Sequence, residues 1–248
     1  GKRWRAADIT VAYALYCVTP LNKINPSNKV IRQVAEILEL PIGSLVLRMR
    51  NFQFLDPGVT GEGKKGMSHV AKMDKEIFAK FQNDWGELAT QAEEIVGLAL
   101  FDGTPEKGAK LLSSLTDRNK VSRERHFFRA SVLTSYDSKC CITGLTLPTL
   151  LAASHIKPYS ECRSSSERTD PHNGLLLNTF HDKAFDQGLI TVTKDYRIVV
   201  SQIVKDYAND SFTKSCLTDL EGTRIILPRN FVPAPDCLEY HNDVIFKG

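Results

Sequence analysis

ASHIKP at Ala153–Pro158 and, after a polar loop, PHNGLLLNTFHDKAFDQGLITV at Pro171–Val192 are the stretches whose reading decides the fold. The apolar run that leads into His155 starts at Leu150, has β character and is stopped by Lys157-Pro158. Tyr159 to Pro171 is rich in serine and charge and reads as a loop, and Gly174 to Asn178 forms a second apolar run. Asn178 or Thr179 can cap a brief helix over His181 to Asp186 that Gly188 ends. Beyond it, Leu189–Thr193 and Arg197–Ser201 alternate around Lys194-Asp195-Tyr196, the signature of a hairpin. The order is strand, loop, strand, short helix, with a histidine ending the first strand, an asparagine before the second and a histidine in the helix.

Upstream the pattern is helical. A helix is expected from near Ser122 to Tyr136, and earlier ones over Ala6–Cys17, Ser27–Leu40 and Leu45–Asn51. Helix, short turn and helix around Pro41, with Arg48 and Arg50 on the last, suit a DNA-reading helix-turn-helix or equally a plain three-helix core. Gly58–Met67 is a glycine-rich loop carrying Lys64 and Lys65, and Met73–Ile95 is helix-periodic with a break at Asp84-Trp85-Gly86. These patterns predict an α+β protein: a helical domain over 1–96, a linker over 97–122, and a domain over 123–248 with a C-terminal extension.

Composition narrows the classes. The 248 residues are 42% hydrophobic and 25% charged, which is ordinary for a globular chain and excludes a disordered or fibrous one. No run approaches the length of a membrane span, and Gly1–Arg5 lacks the apolar core of a signal peptide, so no membrane partner and a cytoplasmic setting are expected. The six cysteines are scattered except for Cys140-Cys141 and are expected to be reduced. A net charge of +3 is too small to argue for nucleic acid by itself. Its distribution says more, because Arg123, Arg125 and Arg129 lie in the basic stretch from Arg118 to Arg129, either a solvated helix face or a phosphate-contacting segment.

The joint pattern of His155, Asn173 and His181, with FDQG at Phe185–Gly188 behind it, resembles the HNH endonuclease family with its ββα-metal fold. With CITG at Cys141–Gly144, it is similar to a bacterial restriction-type subgroup. The resemblance implies a DNA endonuclease with one divalent ion, Mg2+ or Mn2+, acting on double-stranded DNA; because one site cuts one strand, cleavage of both implies a homodimer or two sequential nicks. The residue chemistry agrees. Phosphodiester hydrolysis needs a base near neutral pH, and His155 is the expected one. His181 is the expected metal ligand, with Asn173 or Asp186 as further candidates, and Asn173 can bridge backbone groups and fix the angle of His155. Lys157, beside the base, joins Arg48, Arg50, Lys64, Lys65, Arg123, Arg125 and Arg129 as expected DNA contacts.

Two departures from the family matter. Ser154 stands where many members carry a metal-binding aspartate or histidine. The two Cys-x-x-Cys pairs of zinc-stabilised members are also absent: Thr143 lies three positions after Cys140, and Asn178 and His181 occupy the second pair's spacing, so no structural zinc is expected. A lone histidine in an apolar strand is commonly a core residue. Two rival readings therefore stand beside the nuclease, a non-catalytic DNA-binding protein of the same fold and a signal-activated effector nuclease.

Overall fold

The computed structural model describes residues 3–56, 70–104, 107–111 and 120–248; the loop bearing Lys64 and Lys65 lies outside them. The fold is α+β, with a helical N-terminal region followed by small antiparallel hairpins and short helices. The chain forms two compact units, Gly1–Ser135 with Ser164–Asp170, and Tyr136–Arg163 with Pro171–Gly248.

In the first unit α1 (Ala6–Val18) is central. After Asp8 it has no charged residue, and every position from Asp8 to Cys17 is buried, so it is enclosed on all sides where the apolar spacing suggested a single stripe. Asp8 closes its N-terminus, its carboxylate accepting from the Arg5 backbone N–H at 3.0 Å and from the Arg5 guanidinium at 2.7 Å. Next come α2 (Lys29–Ile37) and α3 (Ile42–Phe52), which pack on each other, and α3, α4 (Lys72–Phe81), α5 (Trp85–Val96) and α6 (Lys120–Ser135) pack against α1. Tyr13 of α1 stacks on Phe52 with ring centroids 4.6 Å apart. The break expected at Asp84 separates α4 from α5, Asp84 capping α5 through the amide of Glu87.

The stretch expected as a linker instead contains a hairpin of β1 (Leu98–Thr104) and β2 (Gly108–Leu111). Gln33 brackets the Ala109 peptide from both sides, accepting from its N–H at 2.7 Å and donating to its carbonyl at 3.2 Å. Helix α6 also falls in the first unit, whereas the sequence grouped it with the second domain. Its Phe127 packs against Trp85 and Phe101, which gives its apolar face a core to enter. Short helix α7 (Ser165–Thr169) belongs to this unit too, and Ser165 donates to the buried Glu124 of α6.

The second unit is built on β3 (Leu151–His155) and β4 (Gly174–Asn178), antiparallel from Leu151 opposite Asn178 to His155 opposite Gly174. Helix α8 (Thr179–Asp186) follows at once, capped by Asn178, and packs on both strands. The expected hairpin is present as β5 (Ile190–Val192) and β6 (Ile198–Val200), followed by α9 (Gln202–Tyr207), α10 (Ser211–Cys216) and α11 (Pro235–Tyr240). His241, beyond α11, stacks on Phe185 at 3.6 Å and donates from Nε2 to the Phe185 carbonyl, while its Nδ1 meets Thr191 Oγ1 at 2.8 Å. Burial holds its pKa down at about 4, so it braces the end of α8 as a neutral ring.

Gly188 stops α8 with φ of 68° and carries the C-terminal segment on its backbone, its carbonyl accepting from Lys247 N–H. A Cβ here would collide with the Ile245 carbonyl oxygen. Gly188→Ala is expected to cost about 2–4 kcal/mol, from the left-handed backbone and the overpacking together. Chemical denaturation with an unchanged slope and a lower midpoint is the readout.

Candidate active site

His155 is the last residue of β3 and is half-buried, its ring edge-on to Tyr159 at 5.7 Å. Its cross-strand partner is Gly174, so no side chain stands opposite the imidazole on β4. After it the chain leaves the hairpin and returns only at Asn173, which is 2% exposed. Asn173 holds both ends of that excursion. Its Oδ1 accepts from Lys157 N–H at 2.7 Å, its Nδ2 donates to the Lys157 carbonyl at 3.1 Å, and its backbone carbonyl accepts from Ile156 N–H at 2.9 Å. Nδ2 also reaches Cys162 Sγ. With oxygen and nitrogen both engaged on backbone, the amide acts as a clamp on the two residues that follow His155.

His181 is not placed as the expected ligand either. It is 3% exposed. A carbonyl can only accept, so the 2.8 Å contact to Cys216 O puts the hydrogen on Nε2. Asn178, whose Oδ1 caps α8 through the His181 N–H, turns its Nδ2 to the His181 Nδ1 at 2.9 Å. Both ring nitrogens are therefore engaged within the fold.

The positions set against the two cysteine pairs do meet in space. Asn178 N–H points to Cys140 Sγ at 3.2 Å, and its Nδ2 lies 3.4 Å from Thr143 Oγ1. Cys140 is fully buried, which pushes its thiol up. The adjacent His181 side chain, with hydrogen bonds from the Thr143 side chain and the Thr143 and Ile142 backbone, outweighs that burial and brings it down to about 7. Hydrogen bonds among Cys140, Thr143, Asn178 and His181 thus tie the start of α8 to the segment before β3.

The outward side of α8 carries carboxylates. Its buried residues are His181, Ala184 and Phe185, while Asp182 is half-exposed and Asp186 exposed, one helical turn apart. Asp186 is raised above the usual carboxylate range by desolvation and by the like charge of Asp182, with Lys183 opposing. Among the described residues no group of three His, Cys, Asp or Glu is arranged to hold a metal. A hard cation that keeps most of its water fits this acidic pair, and a closed protein cage does not. Ser154, 4% exposed, has a buried Oγ without a hydrogen-bond partner among the described residues. For Asp182, the signal available in the sequence is its position one step beyond His181.

Two expected DNA contacts are engaged within the fold. Arg48 pairs with the buried Asp74 and lies over the Trp4 ring, whereas Arg50 on the same helix is exposed while donating to the Ile24 carbonyl. Arg123 is largely buried between Glu93 and Glu94. Arg125 and Arg129 are exposed on α6, and the Lys157 ammonium lies 5.4 Å from the centre of the Tyr240 ring.

Residues 140–193 match the model of the HNH endonuclease family, HNH_2, a family of phosphodiester hydrolases. No curated protein is significantly similar to the chain. The matched span begins at Cys140 and takes in β3, His155, Asn173, α8 and β5.

The Cys140 cluster makes a pH prediction. The folded thiol titrates at about 7 against 9.0 unperturbed, so its contribution is fully present above pH 9 and is lost as pH falls through 7. Stability should therefore rise from pH 7 to 9 by up to about 2–3 kcal/mol. In Cys140→Ser that rise should flatten, measured by urea denaturation at both pH values.

Proposed function

We propose that this chain is a metal-dependent DNA endonuclease of restriction type, hydrolysing phosphodiester bonds in foreign or modified double-stranded DNA. The observation that carries the proposal is the Asn173 clamp, which fixes the Ile156 and Lys157 backbone beside a half-buried histidine at a strand end. A general base must be held at a set angle to take a proton from water in line with a phosphorus, and a strand terminus tied on its exit side supplies that constraint. His155 accepts the proton of the attacking water. Asn173 is a positioning residue that acts through the Lys157 peptide.

Asp182 and Asp186 are the residues that would hold Mg2+ or Mn2+, with water completing the shell. When bound, such an ion supplies positive charge to the phosphorane and to the departing 3′-oxygen. Lys157, Arg125 and Arg129 contact backbone phosphates and fix the duplex without reading sequence. One site cuts one strand, so cleavage of both requires two chains or two successive nicks.

Purified protein with Mg2+ or Mn2+ should nick plasmid DNA, and EDTA should stop it. His155→Ala should cut roughly 10²- to 10⁴-fold more slowly while binding DNA as before; undiminished cutting would remove His155 as the base. Asp182→Ala should raise the Mn2+ concentration needed for half-maximal cutting and weaken the thermal shift that Mn2+ produces. Equal cutting of unmodified, methylated and hydroxymethylated plasmid would remove the restriction role and leave the nuclease.

A further inference from the structure

Phe180 and Phe212 are 40% and 58% exposed, although a chain of this size has ample core to receive them. Their rings meet edge to face at 5.2 Å, and Phe180 also sits edge-on to the buried His181 ring at 5.3 Å. The hydrogen bond from His181 Nε2 to Cys216 O anchors the end of α10 to α8, so the two rings belong to one braced surface. On α8, at about 100° per residue, Lys183 lies roughly 60° from Phe180, while Asp182 and Asp186 lie roughly 120–160° away. The aromatic edge is therefore flanked by an exposed lysine and turned from the carboxylates. Lys214 on α10 is likewise exposed, and neither lysine forms an ion pair among the described residues.

We propose that Phe180 and Phe212 form a stacking surface for a nucleobase of the bound DNA, adjoining the cleavage position, with Lys183 and Lys214 on the flanking phosphates. The inference rests on the nuclease reading above, which puts the scissile phosphate at the other edge of the same helix. A helix with side chains is about 10–12 Å across, so the two edges address neighbouring nucleotides. Apolar side chains that enter a duplex unstack a base step, and base–aromatic stacking tolerates any sequence. A second copy of the chain is the competing occupant, but it would have to set Lys183 and Lys214 against the same lysines if it met this face symmetrically.

The test uses the full chain in EDTA with short duplexes carrying 2-aminopurine at successive positions. Binding of the unaltered protein should raise 2-aminopurine fluorescence at one or two positions, as that base leaves its stack. Phe212→Ala and Phe180→Ala/Phe212→Ala should abolish the rise and weaken binding by anisotropy roughly five- to hundredfold. The slope of affinity against salt should stay unchanged, because no phosphate contact is removed. Phe212→Tyr should retain the signal, and Phe212→Leu, which keeps apolar bulk for folding, should lose it. Unchanged affinity and fluorescence in a folded Phe212→Leu protein would overturn the proposal. So would a fall in sedimenting mass on Phe212→Ala, which would assign the face to a second copy. Plasmid nicking by the same variants separates the two readings: nicking without any fluorescence rise removes the stacking surface alone, and absence of DNA binding by the unaltered protein removes both.

Discussion

The second unit depends on one buried side chain, the amide of Asn173. Between His155 and Asn173 the backbone leaves the hairpin, and part of that excursion, Ser164–Asp170, is counted with the other unit. A strand end followed by such a detour has little of its own to fix its direction, because loop backbone is free to reorient unless its polar groups are held. Asn173 restores the constraint by satisfying both polar groups of the Lys157 peptide with its side chain and the Ile156 amide with its carbonyl. Few residues suit the position: a carboxylate lacks the donor, and a hydroxyl cannot span a peptide's N–H and C=O together. The preference for asparagine there is thus a hydrogen-bonding requirement at a buried site, separate from any catalytic use of the residue.

The second constraint is the way α8 is pinned at its start. In a metal-bound knuckle four ligands would draw the two segments together; in this chain Asn178 does much of that work. It caps α8, meets Thr143 and His181 with its side chain, and points its own amide at Cys140. Each bond is modest singly, about 0.5–1.5 kcal/mol, but three of the four are partly buried and all share one side chain or its backbone. The acidic outward side of the helix can then be displayed without being part of what holds it in place.

Much of the nuclease unit was legible because each of its elements carries a local signal. The β runs end at Lys157-Pro158 and at a capping residue, Gly188 stops α8 where a left-handed residue is required, and the β5–β6 alternation has a short turn between its halves. The sheet between α5 and α6 was not legible, because the residues joining Leu98 to Leu111 contain two glycines and a proline and mimic a connector. What holds that hairpin in place is Gln33, far off in sequence. The membership of α6 was equally hidden: Phe127 and Phe128 announce an apolar face, but nothing local says which core it enters.

The misplacement of His181 has a physical cause that reaches beyond this residue. On a helix, adjacent positions are turned by about 100°, so two neighbouring side chains with ligating atoms cannot both face the same site. Sequence reasoning favoured the histidine as the side chain that the helix would project toward the strand. What decides between the two is which one the helix needs as packing, and that is set by the partners of its ring: the Asn178 amide at the start of α8 and, distant in sequence, the Cys216 carbonyl at the end of α10. Once both imidazole nitrogens are engaged there, the short carboxylate one step on is the side chain the helix can offer outward. The same turn separates the aromatic edge of α8 from its acidic edge. A helix of two turns thus presents an apolar anchor, a structural histidine and a pair of carboxylates on distinct sides, and the anchoring of its start by Asn178 and of its end by His241 keeps those sides in register with the strand that ends at His155.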